Sequence, residues 1–220
     1  MITLVITSYN RFDLLKKTIE SFNSVNRCPI SEVIIIDDSG SPEMHRKIKE
    51  SYSGYTLILN EQNIGLVESI DKAYSQATTP YIWHTEDDFE YIRSGFIEKC
   101  IKVMEYDEMI CRVGIRGIAH IKALCTEHLL AGDIPYKLPL EWEGHPWHGF
   151  GFQCGLIRKS AYDIVKPYTQ YSTPDEFITI RECRIGLAYY NLGLLAVSLT
   201  EDYAIHTGGK RSTYGLKMDG

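Results

Sequence analysis

Val33-Ile34-Ile35-Ile36 is an unbroken aliphatic run, and it restricts the fold of this chain more than any other feature. β-Branched residues crowd a helix at χ1 and suit a pleated strand. A strand without polar alternation has two buried faces, so other structure must cover it on both sides. The flanking sequence supplies the layers. Thr3 to Thr7, Tyr55 to Leu59 and a segment opened by Pro80 read as further strands. Between them, Arg11 to Val25 and Gly65 to Ala77 place apolar residues at helical spacing, and a third helix is expected from Pro42. This alternation predicts an α/β fold: a mostly parallel central sheet with helices on both faces.

Beyond residue 90 the pattern is less regular. Gly95 to Glu105 reads as a helix and Ile110 to Ile115 as a strand. Residues 126 to 153, rich in Pro, Gly, His and Trp, read as one long functional loop. Cys154 to Ile157 is a candidate strand, and Pro174 to Leu192 a long helix with Asp175 and Glu176 at its N-terminal end, where negative charge is favoured. Leu194 to Leu199 is expected to be the last strand, and Thr207 to Gly220 a mobile tail. The 220 residues fit one domain, residues 1–220, with a first half to residue 90 and a second from residue 91.

A net charge of −6 argues against holding a nucleic-acid backbone or an anionic membrane through bulk charge. The six cysteines are widely spaced, without a Cys-x-x-Cys pair, and read as reduced core residues. No apolar run reaches the length of a membrane span and the N-terminus has no secretory pattern, so a cytoplasmic location is expected.

In an open parallel sheet, ligands bind beyond the carboxyl ends of the strands. Three such ends are chemically loaded: Thr7-Ser8-Tyr9-Asn10, Asp37-Asp38 and Glu86-Asp87-Asp88. Right-handed connections put all three on one edge. Three adjacent carboxylates repel one another and call for a cation, or else form a solvated acidic turn. Asp37-Asp38 could equally cap a helix, and Tyr9 could be an aromatic at the rim of the core. Taken together, Tyr9 offers a face to a base, Asp38 an acceptor for a ring N–H, and Asp88 a ligand for a divalent cation that would hold a diphosphate. A metal is needed because the chain has no Gly-x-x-x-x-Gly-Lys-Ser/Thr loop. The glycines at 149, 151 and 155 do not have dinucleotide-loop spacing.

Val5-Ile6-Thr7-Ser8-Tyr9-Asn10-Arg11, then Glu32 to Ser39, Asn63-Ile64-Gly65 and Glu86-Asp87-Asp88, occur in an order that resembles inverting family 2 glycosyltransferases of the GT-A fold, the Rossmann-like fold of nucleotide-diphospho-sugar transferases. The resemblance implies transfer of a sugar from a nucleoside diphosphate to an acceptor hydroxyl, with a glycan as the expected acceptor. It implies that Thr7, Tyr9 and Asp38 contact the nucleoside and that Asp88 binds the metal, with Glu86 and Asp87 beside the ribose, the metal or the donor sugar. A uridine donor is the first expectation.

The same resemblance implies an acidic residue on a late helix, which Glu182 matches and Glu176 contests, and a metal-binding histidine, which His206 matches. A histidine among oxygen ligands favours Mn2+ over Mg2+. The implied mechanism is a single displacement with Glu182 as general base, while Lys210 and Arg211 close over the diphosphate. The aromatic segment with Trp142, Trp147, His148 and Phe150 is the expected acceptor side, or simple loop packing. Two other readings remain: a receiver-like signalling domain with a magnesium pocket at Asp37, Asp38 and Asp87, and a GT-A relative that binds sugar without catalysis.

Overall fold

The computed structural model describes residues 1–116, 123–142, 145–171, 173 and 176–211. The first half runs β1 (Ile2–Ser8), α1 (Phe12–Val25), β2 (Glu32–Asp37), α2 (Pro42–Ser51), β3 (Thr56–Leu59), α3 (Leu66–Tyr74) and β4 (Tyr81–Glu86). It continues with β5 (Phe89–Tyr91), α4 (Phe96–Tyr106), β6 (Ile110–Gly114), β7 (Ala123–Cys125), β8 (Leu129–Ala131), β9 (Ile134–Lys137), β10 (Pro139–Trp142) and β11 (His145–Pro146). The remainder is β12 (Gly155–Arg158), α5 (Lys159–Val165), α6 (Ile178–Asn191), β13 (Leu195–Leu199) and β14 (Ala204–His206).

Among the described residues the main sheet has the order β3-β2-β1-β4-β12-β6-β13-β9-β8, in which β12 and β9 run against the others. The run at 33–36 behaves as its composition requires. Ile35 belongs to the buried cluster that includes residues of α1, α2 and α4, whereas Ile34 and Ile36 belong to the one that includes residues of α3, α5 and α6. All three are essentially inaccessible, each worth about 1.5–3 kcal/mol of burial. Register places Ser8 opposite Asp37 and Thr7 opposite Glu86, so the three loaded strand ends do share one edge.

Four expectations for the second half are corrected. Residues 126–153 are not one loop: β8 and β9 form a hairpin that turns at Gly132, with φ of +64°, and β10 pairs with both β7 and β11 in a small second sheet. A two-residue Gly-Asp turn between apolar stretches is the signal for that hairpin. Helix α6 begins at Ile178, and Glu176 precedes it; Asp175 lies outside the described residues. β13 is not the last strand, because β14 follows and pairs with β5. Thr207 to Arg211 is laid against the protein by hydrogen bonds, and 212–220 lie outside the described residues.

All six cysteines are free thiols, with Cys100, Cys111 and Cys154 buried and the other three partly exposed. No described helix is long and apolar enough to cross a membrane.

Candidate active site

Asp87 ties the end of β4 to the loop after β1. Its carboxylate accepts from Ser8 Oγ at 3.0 Å, from the Tyr9 amide at 3.2 Å and from Arg11 through both Nε and Nη2. Asn10 turns the chain here with φ of +54°, a conformation that asparagine tolerates better than most residues. Burial pushes the Asp87 carboxyl up to about 6, against the pull of the Arg11 guanidinium. Arg11 also donates from Nη1 to Asp88 Oδ2 at 2.8 Å. The acidic triplet therefore has a counter-ion of its own. The sequence signalled the need for a cation, but only folding shows that Arg11 reaches into the cluster.

His206 reaches Asp88 because β14 lies antiparallel to β5, with His206 opposite Phe89. Its Nε2 is 3.2 Å from Asp88 Oδ2. Thr207 donates from its amide and hydroxyl to the Asp88 carbonyl, at 2.7 and 3.0 Å. Gly208 packs so closely that a Cβ there would collide with Asp88 Oδ2. Asp88 Oδ1 is buried without a partner. Burial opposes ionisation of Asp88, but His206 and Arg11 outweigh it and hold the carboxyl below its usual range.

Glu86 keeps an edge to solvent, yet desolvation and the neighbouring charges of Asp88, Glu182 and Asp87 push its carboxyl well above the ordinary range. Glu182 is a buried residue of α6 whose Oε1 accepts from the Phe152 amide at 2.6 Å. Burial raises it to about 7, while that hydrogen bond and the charge of Arg112 pull the other way. Two carboxyls with elevated proton affinity thus lie near the end of β4, close enough for the charge of Glu182 to act on Glu86. The rival residue Glu176 is engaged elsewhere, paired with Arg184 at 2.6 Å and accepting from the Thr173 amide.

Asp38 is buried and accepts from Asn60 Nδ2, the Ile64 amide and the Gly65 amide at 2.8–2.9 Å. A carboxylate has about four lone-pair positions, so one is left for a ligand. Asp38 therefore shapes the Asn63-Ile64-Gly65 turn, whatever else it does. Thr7 Oγ1 is buried without a partner, and Tyr9 is 36 % exposed at the rim. Asp37 accepts from the amide and hydroxyl of Ser39 and lies 3.4 Å from His45, inside the turn before α2.

The aromatic segment divides. Trp142 and Trp147 are partly exposed, and Trp147 donates to the Phe150 carbonyl at 2.9 Å. His148 stacks on Tyr190 with ring centres 4.0 Å apart. Phe150 has no exposed surface and packs against Phe152, Tyr168 and Tyr189, so the expectation that its ring meets an acceptor is corrected. The flanking Gly149 and Gly151 let the chain pass close to Ala196 and Glu182. Arg211 forms a two-pronged pair with Asp13 of α1, and its carbonyl accepts from Arg11 Nη1. The Lys210 side chain lies outside the described residues. Sequence reasoning assigned no role to Arg11, Arg112 or the Phe152 amide.

The fold is that of GT-A glycosyltransferases. The pattern of glycosyl transferase family 2 matches residues 3–165, and the chain belongs to that family. Solved structures of similar fold include the mannosyltransferase PcManGT from Pyrobaculum calidifontis with GDP-Man and Mn2+, at 13% identity and a TM-score of 0.64, covering 97% of this chain and 58% of that one. GalNAc-T7 with UDP, GalNAc and Mn2+ aligns at 13% identity and a TM-score of 0.67, over 94% of this chain and 43% of its own. S. aureus TarS 1-349 aligns at 12% identity and 0.62, over 95% and 61%. The chain thus spans about half of the lengths of these proteins, and at such identity the likeness is one of fold. No curated protein matches it in sequence.

Proposed function

We propose that this chain is the catalytic domain of a glycosyltransferase that moves a sugar from a nucleoside diphosphate to an acceptor hydroxyl, with inversion at the anomeric carbon. The observation that carries this reading is Glu182: a buried carboxyl, oriented by the Phe152 amide and raised to about 7, placed beside Glu86 at the end of β4. A base with that proton affinity is matched to taking a hydroxyl proton near neutral pH. Glu182 removes the proton as the acceptor oxygen attacks, and the diphosphate departs from the opposite side of the anomeric carbon. Tyr9 packs on the base, Thr7 Oγ1 and the remaining Asp38 lone pair meet the nucleoside, and Asp87 holds the loop that carries Tyr9 in place.

The donor set fits a divalent cation. Asp88 Oδ1 is a buried acceptor without a partner, and His206 Nε2 stands against the other oxygen of the same carboxylate. Asp88 and His206 would hold the ion, with Glu86 completing the acidic wall. Oxygen plus imidazole donors suit Mn2+ better than Mg2+. When bound, it offsets charge on the departing diphosphate. Both PcManGT and GalNAc-T7 hold Mn2+, one with a guanosine and the other with a uridine nucleotide. Uridine is the expected base here, with Trp142, Trp147 and His148 toward a glycan acceptor and Lys210 and Arg211 toward the diphosphate.

Incubation with a panel of UDP- and GDP-sugars and MnCl2, followed by measurement of released nucleoside diphosphate, tests the reading. Release by the wild type, lost in Glu182→Gln with nucleotide binding retained, is the expected result. Binding without release would leave a sugar-nucleotide-binding relative that does not catalyse; no binding at all would remove the donor site.

A further inference from the structure

Arg112 of β6 is a buried cation that the proposed reaction leaves without a task. A guanidinium removed from water is costly unless hydrogen-bonded and matched by an anion. Here Nη2 donates to the Gln153 carbonyl at 2.9 Å, Cζ stands over the Phe150 ring at 5.7 Å, and Nε has no partner. Gly114 makes room for the group, since a Cβ there would come within 3.2 Å of Nη1. The acidic groups whose fields act on it are Tyr74, Glu182, Cys154 and Cys111. Burial keeps the phenol and both thiols protonated. His84, fully buried nearby, is pushed down to about 3 by burial and by Arg112 itself, so it is neutral. Glu182 is therefore the one group in this set able to carry the matching negative charge.

A single loop joins the two. The segment 150–153 that Arg112 grips at the Gln153 carbonyl also presents the Phe152 amide to Glu182 Oε1. A Cβ on Gly151 would stand 3.3 Å from that same oxygen, so the loop wraps the carboxylate closely. Phe150 carries its ring under the Arg112 guanidinium, and a Cβ on Gly186 of α6 would come within 3.2 Å of its own Cβ.

We infer that Arg112 is the positioning residue of Glu182: it anchors the 150–153 loop so that the Phe152 amide orients the carboxylate, and it supplies the buried positive charge opposite the ionised base. This rests on the role proposed for Glu182 above. Nothing in the inference requires Arg112 to touch either substrate. Its loss should therefore slow turnover without weakening the nucleotide site, which lies at the ends of β1, β2 and β4.

The test uses Arg112→Met, Arg112→Lys, Glu182→Gln and the double variant Arg112→Met/Glu182→Gln. Calorimetry with UDP and MnCl2 reads nucleotide affinity, release of nucleoside diphosphate from the sugar nucleotide that the panel selects reads turnover, and amide hydrogen exchange reads the loop. Arg112→Met should lower kcat at least ten-fold with UDP affinity within two-fold, and Arg112→Lys should recover most of that loss. Added to Glu182→Gln, Arg112→Met should produce no further loss, because groups acting as one unit are not additive. The peptide spanning 150–153 should exchange faster in Arg112→Met.

Unchanged turnover in Arg112→Met, an equal loss in the Glu182→Gln background, or unaltered exchange of that peptide would each overturn the inference while leaving Glu182 as the base. Full turnover in Glu182→Gln would instead overturn the base assignment, and the inference with it.

Discussion

His206 Nε2 stands 3.2 Å from Asp88 Oδ2, although the two residues lie on β14 and directly before β5, far apart along the chain. The antiparallel pair β5–β14 makes this contact, and the bonds from Thr207 to the Asp88 carbonyl lock it. The ring also meets Phe89 edge-on at 5.3 Å, which limits its rotation.

If this pair holds the cation, His206→Ala should weaken Mn2+ binding by at least about ten-fold, the scale seen when the supports of a metal site are removed. Electron paramagnetic resonance of free Mn2+ would measure it. Unchanged affinity would exclude the histidine as a ligand.

Proton linkage at Glu182 gives a signed expectation. As a base it must be ionised, so the rate of transfer should rise through about pH 7 and level off above it. Stability runs the other way. The folded state binds its proton more tightly than the unfolded chain, so between the unfolded value near 4.5 and about 7 stability falls as pH rises, by up to about 3 kcal/mol. Urea denaturation across that range should show the decline in the wild type and a smaller one in Glu182→Gln.

Removing the internal counter-ion should be costly. Arg11→Gln leaves Asp87, which has no exposed side-chain surface, without its paired charge. Breaking a buried pair from one side typically costs about 3–5 kcal/mol. A thermal midpoint lowered by several degrees is the expected observation, whereas a midpoint equal to the wild type would show the pair to be without consequence.

Phe150→Ala separates packing from recognition. The ring is enclosed by Phe152, Tyr168 and Tyr189, so its truncation should destabilise the fold by about 3–5 kcal/mol in chemical denaturation. Nucleotide affinity of the folded fraction should stay at the wild-type value.

The three acidic or polar strand ends were legible in sequence because each follows an apolar run, and a strand end is a local feature. The catalytic candidate Glu182 was legible only through resemblance. Nothing local distinguishes it from Glu176, and the choice follows from burial of one and the Arg184 pairing of the other. The burial of Phe150 was not legible, because an aromatic-rich segment fits an acceptor surface and simple packing equally well. Its environment comes from α6 and the turn at Tyr168–Tyr171, which no local pattern announces.

By itself the sequence determined the alternation of strands and helices in the first half, the parallel sheet they form, and the common edge where their polar ends gather. These follow from short-range periodicity and the handedness of connections. Tertiary structure alone decided that Arg11 neutralises the acidic triplet, that β14 returns His206 to Asp88, and that Arg112 and the Phe152 amide frame Glu182. Each depends on contacts between segments remote in the chain, and on desolvation, which sets the proton affinity of a carboxyl only once the surrounding protein has excluded water.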